Sequence, residues 1–190
     1  MTKVIAGVDE VGRGSLVGPV YAAAVILNKK INTKFLKDSK LLSKQNREKL
    51  NTYIKKNSFW SIGIASVKEI EKLNILNASL LAMKRAIKKL KKKPGLVLID
   101  GNRIPKIKNY NIKYVIKGDQ KIPEISAASI IAKVSRDRLI TKMSKKFNRY
   151  SWDKNAGYGT KEHISAIKKF GITRHHRKTF QPIHNILSPK

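Results

Sequence analysis

The stretch GVDEVGRGSLVG, residues 7–18, sets two adjacent carboxylates, Asp9 and Glu10, at the end of the first apolar segment of the chain. A glycine-arginine-glycine turn follows the pair at once. Carboxylates are scarce, because the 190 residues include only 12 Asp and Glu against 42 Lys and Arg. We predict a strand over residues 3–8 that leads into Asp9 and a second strand over residues 20–27. The stretch therefore predicts an acidic pair at the end of a strand, beside a tight turn.

The composition is that of a globular protein with one well-buried core. Hydrophobic residues make up 41 % of the chain and charged residues 28 %, and the expectation is a single domain over residues 1–190. No apolar run approaches the roughly 18 residues that span a bilayer, and the N-terminus has no signal-peptide pattern, so no membrane partner is expected. The absence of cysteine excludes disulfides, thiolate metal sites and cysteine nucleophiles, and it fits a cytoplasmic protein.

The net charge of +30 is the largest signal in the composition. A strongly basic protein indicates a polyanionic partner, and nucleic acid is the commonest one. The basic residues are mostly lysine, so a lysine-rich solvated surface without a specific partner stays open as the alternative interpretation.

Strands and helices alternate along the rest of the chain. We predict helices over residues 43–55, 77–92 and 124–146 and a last one between a Thr160 cap and Gly171, with strands over 59–67, 96–99 and 112–116. The strand at 96–99 is continuously apolar and is therefore expected to be buried on both faces. The order predicts an α/β fold, a mixed sheet flanked by helices, with a C-terminal helical part from about residue 150 that carries the sequence GYGT.

Three of the predicted strands lead into carboxylates, namely the Asp9 and Glu10 pair, Asp100 and Asp119. Ligand sites collect at the carboxyl ends of strands in α/β sheets, and clustered carboxylates that repel each other are relieved by a divalent cation. Ligands with oxygen donors alone favour Mg²⁺ or Mn²⁺. Adjacent strand residues point to opposite faces, so we expect the backbone to turn between Asp9 and Glu10. Strand-end caps are the alternative interpretation for any single acid. The acids among basic residues are expected to form solvated pairs: Glu48, Glu69, Glu71, Asp137, Asp153 and Glu162.

Five motifs in order resemble the bacterial ribonuclease HII family. They are GVDEVGRGSLVGPV (7–20), LKDSKLLS (36–43), LVLIDGNRIPK (96–106), VIKGDQKIPEISAASIIAKVSRDR (115–138) and GYGTKEH (157–163), so the similarity covers nearly the whole chain. The resemblance implies a ribonuclease-H-like fold and an endoribonuclease that depends on Mn²⁺ or Mg²⁺. The implied substrates are RNA–DNA hybrids and duplex DNA with single embedded ribonucleotides, cut on the 5′ side of the ribonucleotide to leave a 5′-phosphate and a 3′-hydroxyl.

The resemblance also implies roles for individual residues. The acidic tetrad of the family, which binds the metal ions, falls on the same four acids: Asp9, Glu10, Asp100 and Asp119. Gly12, Arg13 and Gly14 match the family's turn that recognises the 2′-hydroxyl at the RNA–DNA junction. Tyr158 matches the family's tyrosine that packs on the nucleotide beside the junction. Lys40 matches a lysine near the substrate backbone. Glycines allow close approach of a nucleic acid, and an exposed ring can stack on it. A tight turn and a ring folded onto the core are the corresponding structural alternatives.

Some positions depart from the family pattern. Ser15 stands in place of the usual proline, which is expected to loosen the turn slightly, and Ala156 stands where many members have a lysine. His175 and His176 are expected to form a polar basic turn rather than a metal site.

Three other functions compete with this interpretation. A non-catalytic basic nucleic-acid-binding protein would explain the charge but not the acids at the strand ends. A phosphotransferase of the actin or sugar-kinase type would need two similar halves with glycine-rich turns. Ribonuclease HIII usually carries an extra N-terminal domain, for which the residues before Asp9 leave no room. The expected protein is a monomer.

Overall fold

Five strands form one mixed sheet in the computed structural model, which describes residues 4–29, 31–36 and 43–188. The strands are β1 (Ile5–Val11), β2 (Val20–Leu27), β3 (Ser58–Ala65), β4 (Leu96–Asp100) and β5 (Ile112–Val115). Their order across the sheet is β3-β2-β1-β4-β5. The first three pair antiparallel, whereas β4 and β5 run parallel to β1. The predicted α/β class with a mixed sheet is confirmed.

Seven α-helices are present in the described part of the chain. They are α1 (Lys44–Lys56), α2 (Val67–Lys89), α3 (Gly118–Lys121), α4 (Pro123–Lys146), α5 (Trp152–Asn155), α6 (Lys161–Phe170) and α7 (Ile183–Leu187). Helix α2 covers one face of the sheet, and α4, with α1 beside it, covers the other. The predicted Thr160 cap is confirmed, because its side chain accepts a hydrogen bond from the N–H of His163. None of the described helices is both long and apolar enough to span a bilayer.

Helix α2 begins at Val67 and not at residue 77 as the periodicity predicts. Ser66 and Glu69 form a reciprocal capping box that starts the helix earlier. Asn74 then takes a positive φ of 66°, which kinks the helix and shifts its apolar face. The two segments together therefore do not show one continuous helical period.

The strand β4 is buried more fully on one face than on the other. Val97 and Ile99 are fully buried against the α2 side, whereas Leu96 and Leu98 are only partly buried. The prediction of complete burial on both faces is therefore wrong. Helix α4 lies mainly over β1 and β2, so β4 is covered less on that side.

Small side chains let both helices approach the sheet closely. Ala22 and Ala24 of β2 face the core on the α2 side, and Ala23 faces the core on the α4 side with Ala127 and Ala128. A third core joins the C-terminal helical region to the segment after the glycine-rich turn: Leu16, Val17, Ile140, Tyr150, Trp152, Ala166, Ile167 and Ile183. This third core places the sequence GYGT next to that turn.

Candidate active site

The register of two central strands brings Asp9 and Asp100 side by side. Val8 of β1 pairs with Ile99 of β4 in the parallel ladder, and both side chains are buried on the α2 side. The next residue of each strand points to the opposite face, towards α4, because side chains alternate along a strand. The predicted meeting of carboxylates from two strand ends is thus present for this pair.

Asp9 is a buried carboxylate in a repulsive environment. Burial raises the pKa of Asp9 well above its usual range, and the charges of Glu10 and Asp100 raise it further. Hydrogen bonds from the Ser129 side chain and from the backbone N–H of Glu10, at 2.7 Å, act in the opposite direction. The folded protein therefore binds the Asp9 proton more tightly than a solvated carboxylic acid does, and a nearby cation would oppose this shift.

Glu10 extends from the same strand and forms an ion pair with Arg13. Burial raises the pKa of Glu10, the Arg13 guanidinium lowers it, and the charge of Asp100 raises it again. The Arg13 Nη1 atom lies 3.2 Å from Glu10 Oε1, while 52 % of the Arg13 side chain stays exposed. The expected backbone turn between Asp9 and Glu10 is absent, because β1 continues through both residues to Val11 in antiparallel pairing with β2. The turn comes after Val11, at Gly12.

The sequence predicts that Asp119 directly follows a strand, but the structure places this residue in a helix. It does not follow a strand directly, because β5 ends at Val115 and Asp119 is buried in the short helix α3. The helix starts after Lys117, whose positive φ of 54° redirects the chain. The N–H of Gly118 donates to Asp100 Oδ1 at 2.7 Å, which anchors the start of this helix to the site.

Three acids interact electrostatically here, but they do not form a closed metal site. Within residues 4–29, 31–36 and 43–188, no three His, Cys, Asp or Glu side chains come close enough together to hold a metal ion. The interacting acids are Asp9, Glu10 and Asp100. Their donors are all oxygen atoms, and Arg13 offsets part of their charge. This chemistry fits a hard divalent cation.

The two glycines of the turn have different surroundings. Gly12 is buried with a φ of +91°, and a Cβ atom there would lie 2.2 Å from Arg136 Nε. Gly14 is exposed, and a Cβ atom there would meet only Tyr158 Cε1, at 3.9 Å. The fold itself therefore requires glycine at position 12, whereas the surface beside Gly14 is open.

Tyr158 lies next to the turn. Its ring is half-buried, with Arg136 5.8 Å and Lys133 5.9 Å from the ring centroid. The ring is therefore less exposed than its position between two glycines predicts, and it is not folded into the core. The structure brings Tyr158 together with Gly12, Arg13 and Gly14, whereas Lys40 lies outside the described residues.

Ser15 stabilises the glycine-rich turn, whereas the sequence predicts that this residue loosens it. The residue is buried, and its hydroxyl lies 2.9 Å from the carbonyl oxygen of Gly157 and 2.7 Å from Arg136 Nη2. The Leu16 N–H also donates to the Gly157 carbonyl oxygen at 2.9 Å. These bonds connect the turn directly to the loop that carries Tyr158.

One residue of the histidine pair, His176, differs from its prediction. His176 is buried and stacks edge-on against Tyr150 and Trp152, so it is not part of a polar surface turn. Its Nε2 lies 3.3 Å from His163 Nε2, and burial lowers the pKa of His176 to about 4. The aromatic residues of the C-terminal region explain this burial.

Sequence reasoning missed Ser129, which binds Asp9, and two fully buried arginines, Arg136 and Arg177. Arginines in the basic runs RDR and HHRK carry no local signal of burial.

The sequence model of the ribonuclease HII family matches residues 6–183. A ribonuclease HII from Pelagibacter ubique is 74 % identical over 97 % of this chain and 100 % of its own length. The chain belongs to the ribonuclease HII family. Among solved structures, ribonuclease H2 from Pyrococcus horikoshii superposes with a TM-score of 0.79 at 29 % identity, covering 96 % of both chains. Bst-RNase HIII in complex with Mn²⁺ shares the fold at 17 % identity, with a TM-score of 0.69 over 96 % of this chain and 68 % of its own.

Membership of the family decides between the competing functions. The chain is a ribonuclease H, an endoribonuclease that acts on RNA–DNA hybrids. The non-catalytic binding protein and the phosphotransferase are therefore excluded.

Proposed function

We propose that this enzyme also cuts duplex DNA on the 5′ side of single embedded ribonucleotides and leaves a 5′-phosphate and a 3′-hydroxyl. The observation that carries the proposal is the position of the acidic cluster, one turn away from an exposed Gly14 and a half-buried Tyr158. The acidic cluster can act on a phosphodiester while the neighbouring turn and Tyr158 recognise a single ribose. A general hybrid nuclease does not need that second element.

The acidic tetrad would hold the metal ions: Asp9, Glu10, Asp100 and Asp119. Two bound Mg²⁺ or Mn²⁺ ions would lower the pKa of the attacking water and stabilise the leaving oxygen. The environment of Asp9 supports this assignment, because burial and the charges of Glu10 and Asp100 all raise its pKa, and a bound cation would oppose these effects. The Mn²⁺ ion in the related Bst-RNase HIII is consistent with it.

The protein groups around these acids orient them. Ser129 and the Glu10 N–H hold the Asp9 carboxylate, and the Gly118 N–H holds that of Asp100. Asp119 lies next to Gly118, so a shift of α3 would move Asp119 and the Asp100 hydrogen bond together. These contacts fix the carboxylate oxygens before any ligand arrives.

Recognition of the ribonucleotide is assigned to the turn and to Tyr158. The 2′-hydroxyl distinguishes RNA from DNA at a given position, and a protein backbone can read it only where side chains leave room. Gly14 provides that room, and the exposed guanidinium of Arg13 can bind the adjacent phosphate. The Tyr158 ring can stack on the neighbouring nucleotide, a contact that contributes about 1–3 kcal/mol.

A mainly basic groove lies between two helices that cover the same face of the sheet. A groove of about 320 Å³ between α1 and α4 is lined by five basic and two acidic side chains: Lys44, Arg47, Arg138, Lys142, Lys145, Glu48 and Asp137. Arg138 forms an ion pair with Glu48, so the excess of positive charge comes from the other four basic residues. Lys133, on the same helix α4, lies beside Tyr158. A duplex that enters the site can therefore follow a positively charged surface. The monomeric state and a cytoplasmic location stay predictions.

Cleavage of two labelled duplexes tests the proposal. One carries a single ribonucleotide in DNA and the other is an RNA–DNA hybrid, each incubated with Mg²⁺, with Mn²⁺ or with chelator. We expect metal-dependent cleavage of both, with the single-ribonucleotide product ending 5′ of the ribonucleotide. Asp9→Asn and Asp100→Asn should lose activity by orders of magnitude, while Asp153→Asn, an exposed acid in α5, serves as the matched control. Hybrid cleavage without cleavage of the single-ribonucleotide duplex would refute the proposed specificity.

A further inference from the structure

We propose that Arg136 and Arg177 are positioning residues that orient the peptide groups of the Gly12–Gly14 turn for substrate recognition. The inference rests on the proposed function of that turn. Both arginines have no exposed surface, and neither belongs to the acidic site. Their guanidinium groups lie under the turn from two different elements, α4 and the segment before α7.

Arg136 connects the turn to the loop that carries Tyr158. Its guanidinium donates four hydrogen bonds of 2.7–3.1 Å, three to backbone carbonyls and one to a hydroxyl: Pro19, Ala156, Val17 and Ser15. It also lies 5.8 Å from the centroid of the Tyr158 ring. One side chain therefore sets the spacing between the turn and the aromatic ring.

Arg136 also explains why position 12 is glycine. The space that a side chain would occupy there is filled by Arg136 Nε, at 2.2 Å from an added Cβ. Arg136 can therefore approach the turn this closely only because residue 12 is a glycine, which also allows the positive φ.

Arg177 fixes the direction of a single peptide group in the turn. Its Nη1 donates to the Arg13 carbonyl oxygen at 2.9 Å, and its Nε donates to that of Gly18 at 2.9 Å. Because a peptide is planar and trans, a carbonyl that points inward to Arg177 directs the N–H of Gly14 away from it. In the described part of the chain that N–H has no hydrogen-bond acceptor. It is a free donor on an exposed residue, beside Tyr158.

The electrostatics agree with this role. The acceptors of both arginines in the structure are carbonyls and a hydroxyl, none of them a carboxylate. Burial lowers the pKa of Arg177, and the nearby Arg136 cation lowers it further. Arg177 Nη2 is buried without a partner among the described residues. Two cations held under one turn leave positive charge where a phosphate would approach.

The test uses Arg177→Met and Arg177→Lys in the full chain. Methionine keeps much of the side-chain volume without the donors, and lysine keeps the charge but lacks the fixed fork that reaches two carbonyls. The control is Met83→Ala, which lies in the core on the α2 side of the sheet, away from the turn. The readouts are kcat/KM on both duplexes and the ¹H–¹⁵N resonances of Gly12 and Gly14 in the substrate-free protein.

We expect Arg177→Met to shift both glycine resonances and to lose at least tenfold in kcat/KM on the single-ribonucleotide duplex, with a smaller loss on the hybrid. Arg177→Lys should restore part of both effects. Met83→Ala should lower thermal stability without changing the ratio of the two kcat/KM values. Unchanged glycine resonances and an unchanged ratio in Arg177→Met would overturn the proposal. If that variant does not fold, Arg177→Lys decides by the same two readouts.

The failure of the proposed function would give a different result. In that case the unmodified enzyme would fail to cleave the single-ribonucleotide duplex, while the glycine resonances would still report the orientation of the turn. The two hypotheses are therefore tested separately.

Discussion

Gly12→Ala and Gly14→Ala test two different requirements for glycine in the turn. The fold requires glycine at position 12, and the proposed contact with the substrate requires it at position 14. Gly12 is buried at a φ of +91°, directly against Arg136. Gly14 is exposed, and an added Cβ there would make ordinary contact with Tyr158 at 3.9 Å. We expect Gly12→Ala to lose stability and Gly14→Ala to lose activity alone.

The magnitudes follow from these contacts. A left-handed φ costs an L residue about 1–2 kcal/mol. The Cβ of Ala at position 12 would also displace Arg136, which would lose at least one hydrogen bond, worth about 1.5–3 kcal/mol for a charged donor. The combined loss of about 3–5 kcal/mol lowers Tm by about 6–20 °C in a chain of this size. For Gly14→Ala the change in stability should stay within about 0.5 kcal/mol, or about 2 °C.

Thermal unfolding in chelator and kcat/KM on the single-ribonucleotide duplex measure the two effects. Gly14→Ala should fold normally and lose at least about tenfold in kcat/KM, equivalent to ~1.4 kcal/mol of transition-state stabilisation. A Gly12→Ala variant as stable as the parent would show that Arg136 does not pack against the turn. Full activity in Gly14→Ala would show that the open surface beside Gly14 is not where the ribose binds.

Three more predictions concern charge. Asp9→Asn should raise Tm without metal at neutral pH. Burial and the charges of Glu10 and Asp100 raise the folded-state pKa of Asp9, so the protonated carboxyl stabilises the native state fully only below the unfolded-state pKa, and this stability is lost as pH rises through the folded value; a lower Tm would contradict the raised pKa. The logarithm of substrate affinity should fall by roughly 0.9 per log unit of salt concentration for each phosphate that the protein neutralises. A slope near zero would show that the net charge of +30 does not contribute to substrate binding. His176 has a folded-state pKa of about 4, so its stabilising contribution is present above about pH 6.5 and is lost as pH falls towards 4. The free energy of unfolding should therefore fall by about 1.4 kcal/mol per pH unit in this range. His176→Phe should flatten this pH dependence, whereas the exposed control His184→Phe should not.

The sheet and its acidic edge could be predicted because both depend on local pattern. Apolar strands that end in carboxylates mark the positions of Asp9 and Asp100, and the parallel register then brings the two together. Helix α4 was predicted almost to the residue, because Pro123 marks its start and small residues mark its packed face.

The remaining features depend on partners that are distant in the sequence. Strand β1 continues through Glu10 because β2 pairs with it there, and no local signal shows that pairing. Arg136 and Arg138 are two residues apart on α4, yet the first is buried under the turn and the second pairs with Glu48 on the surface. The difference depends on which face of α4 meets residues 12–19, and this is a property of the assembled fold.

Two sites of opposite charge thus lie next to each other in the enzyme. We expect the negative charge of the cluster around Asp9 and Asp100 to repel a phosphate, and the buried cations Arg136 and Arg177 to attract one to the adjacent turn. Without metal ions the substrate gains the second interaction but has to overcome the first. If the acids bind metal as proposed, a divalent cation would neutralise the carboxylates and remove this penalty, so we expect metal binding to strengthen substrate binding. By linkage, a bound duplex strengthens metal binding by the same factor. On the proposed assignment the acids would serve specificity as well as chemistry, because a duplex held by the turn would place a phosphate next to the carboxylates that bind the metal ions.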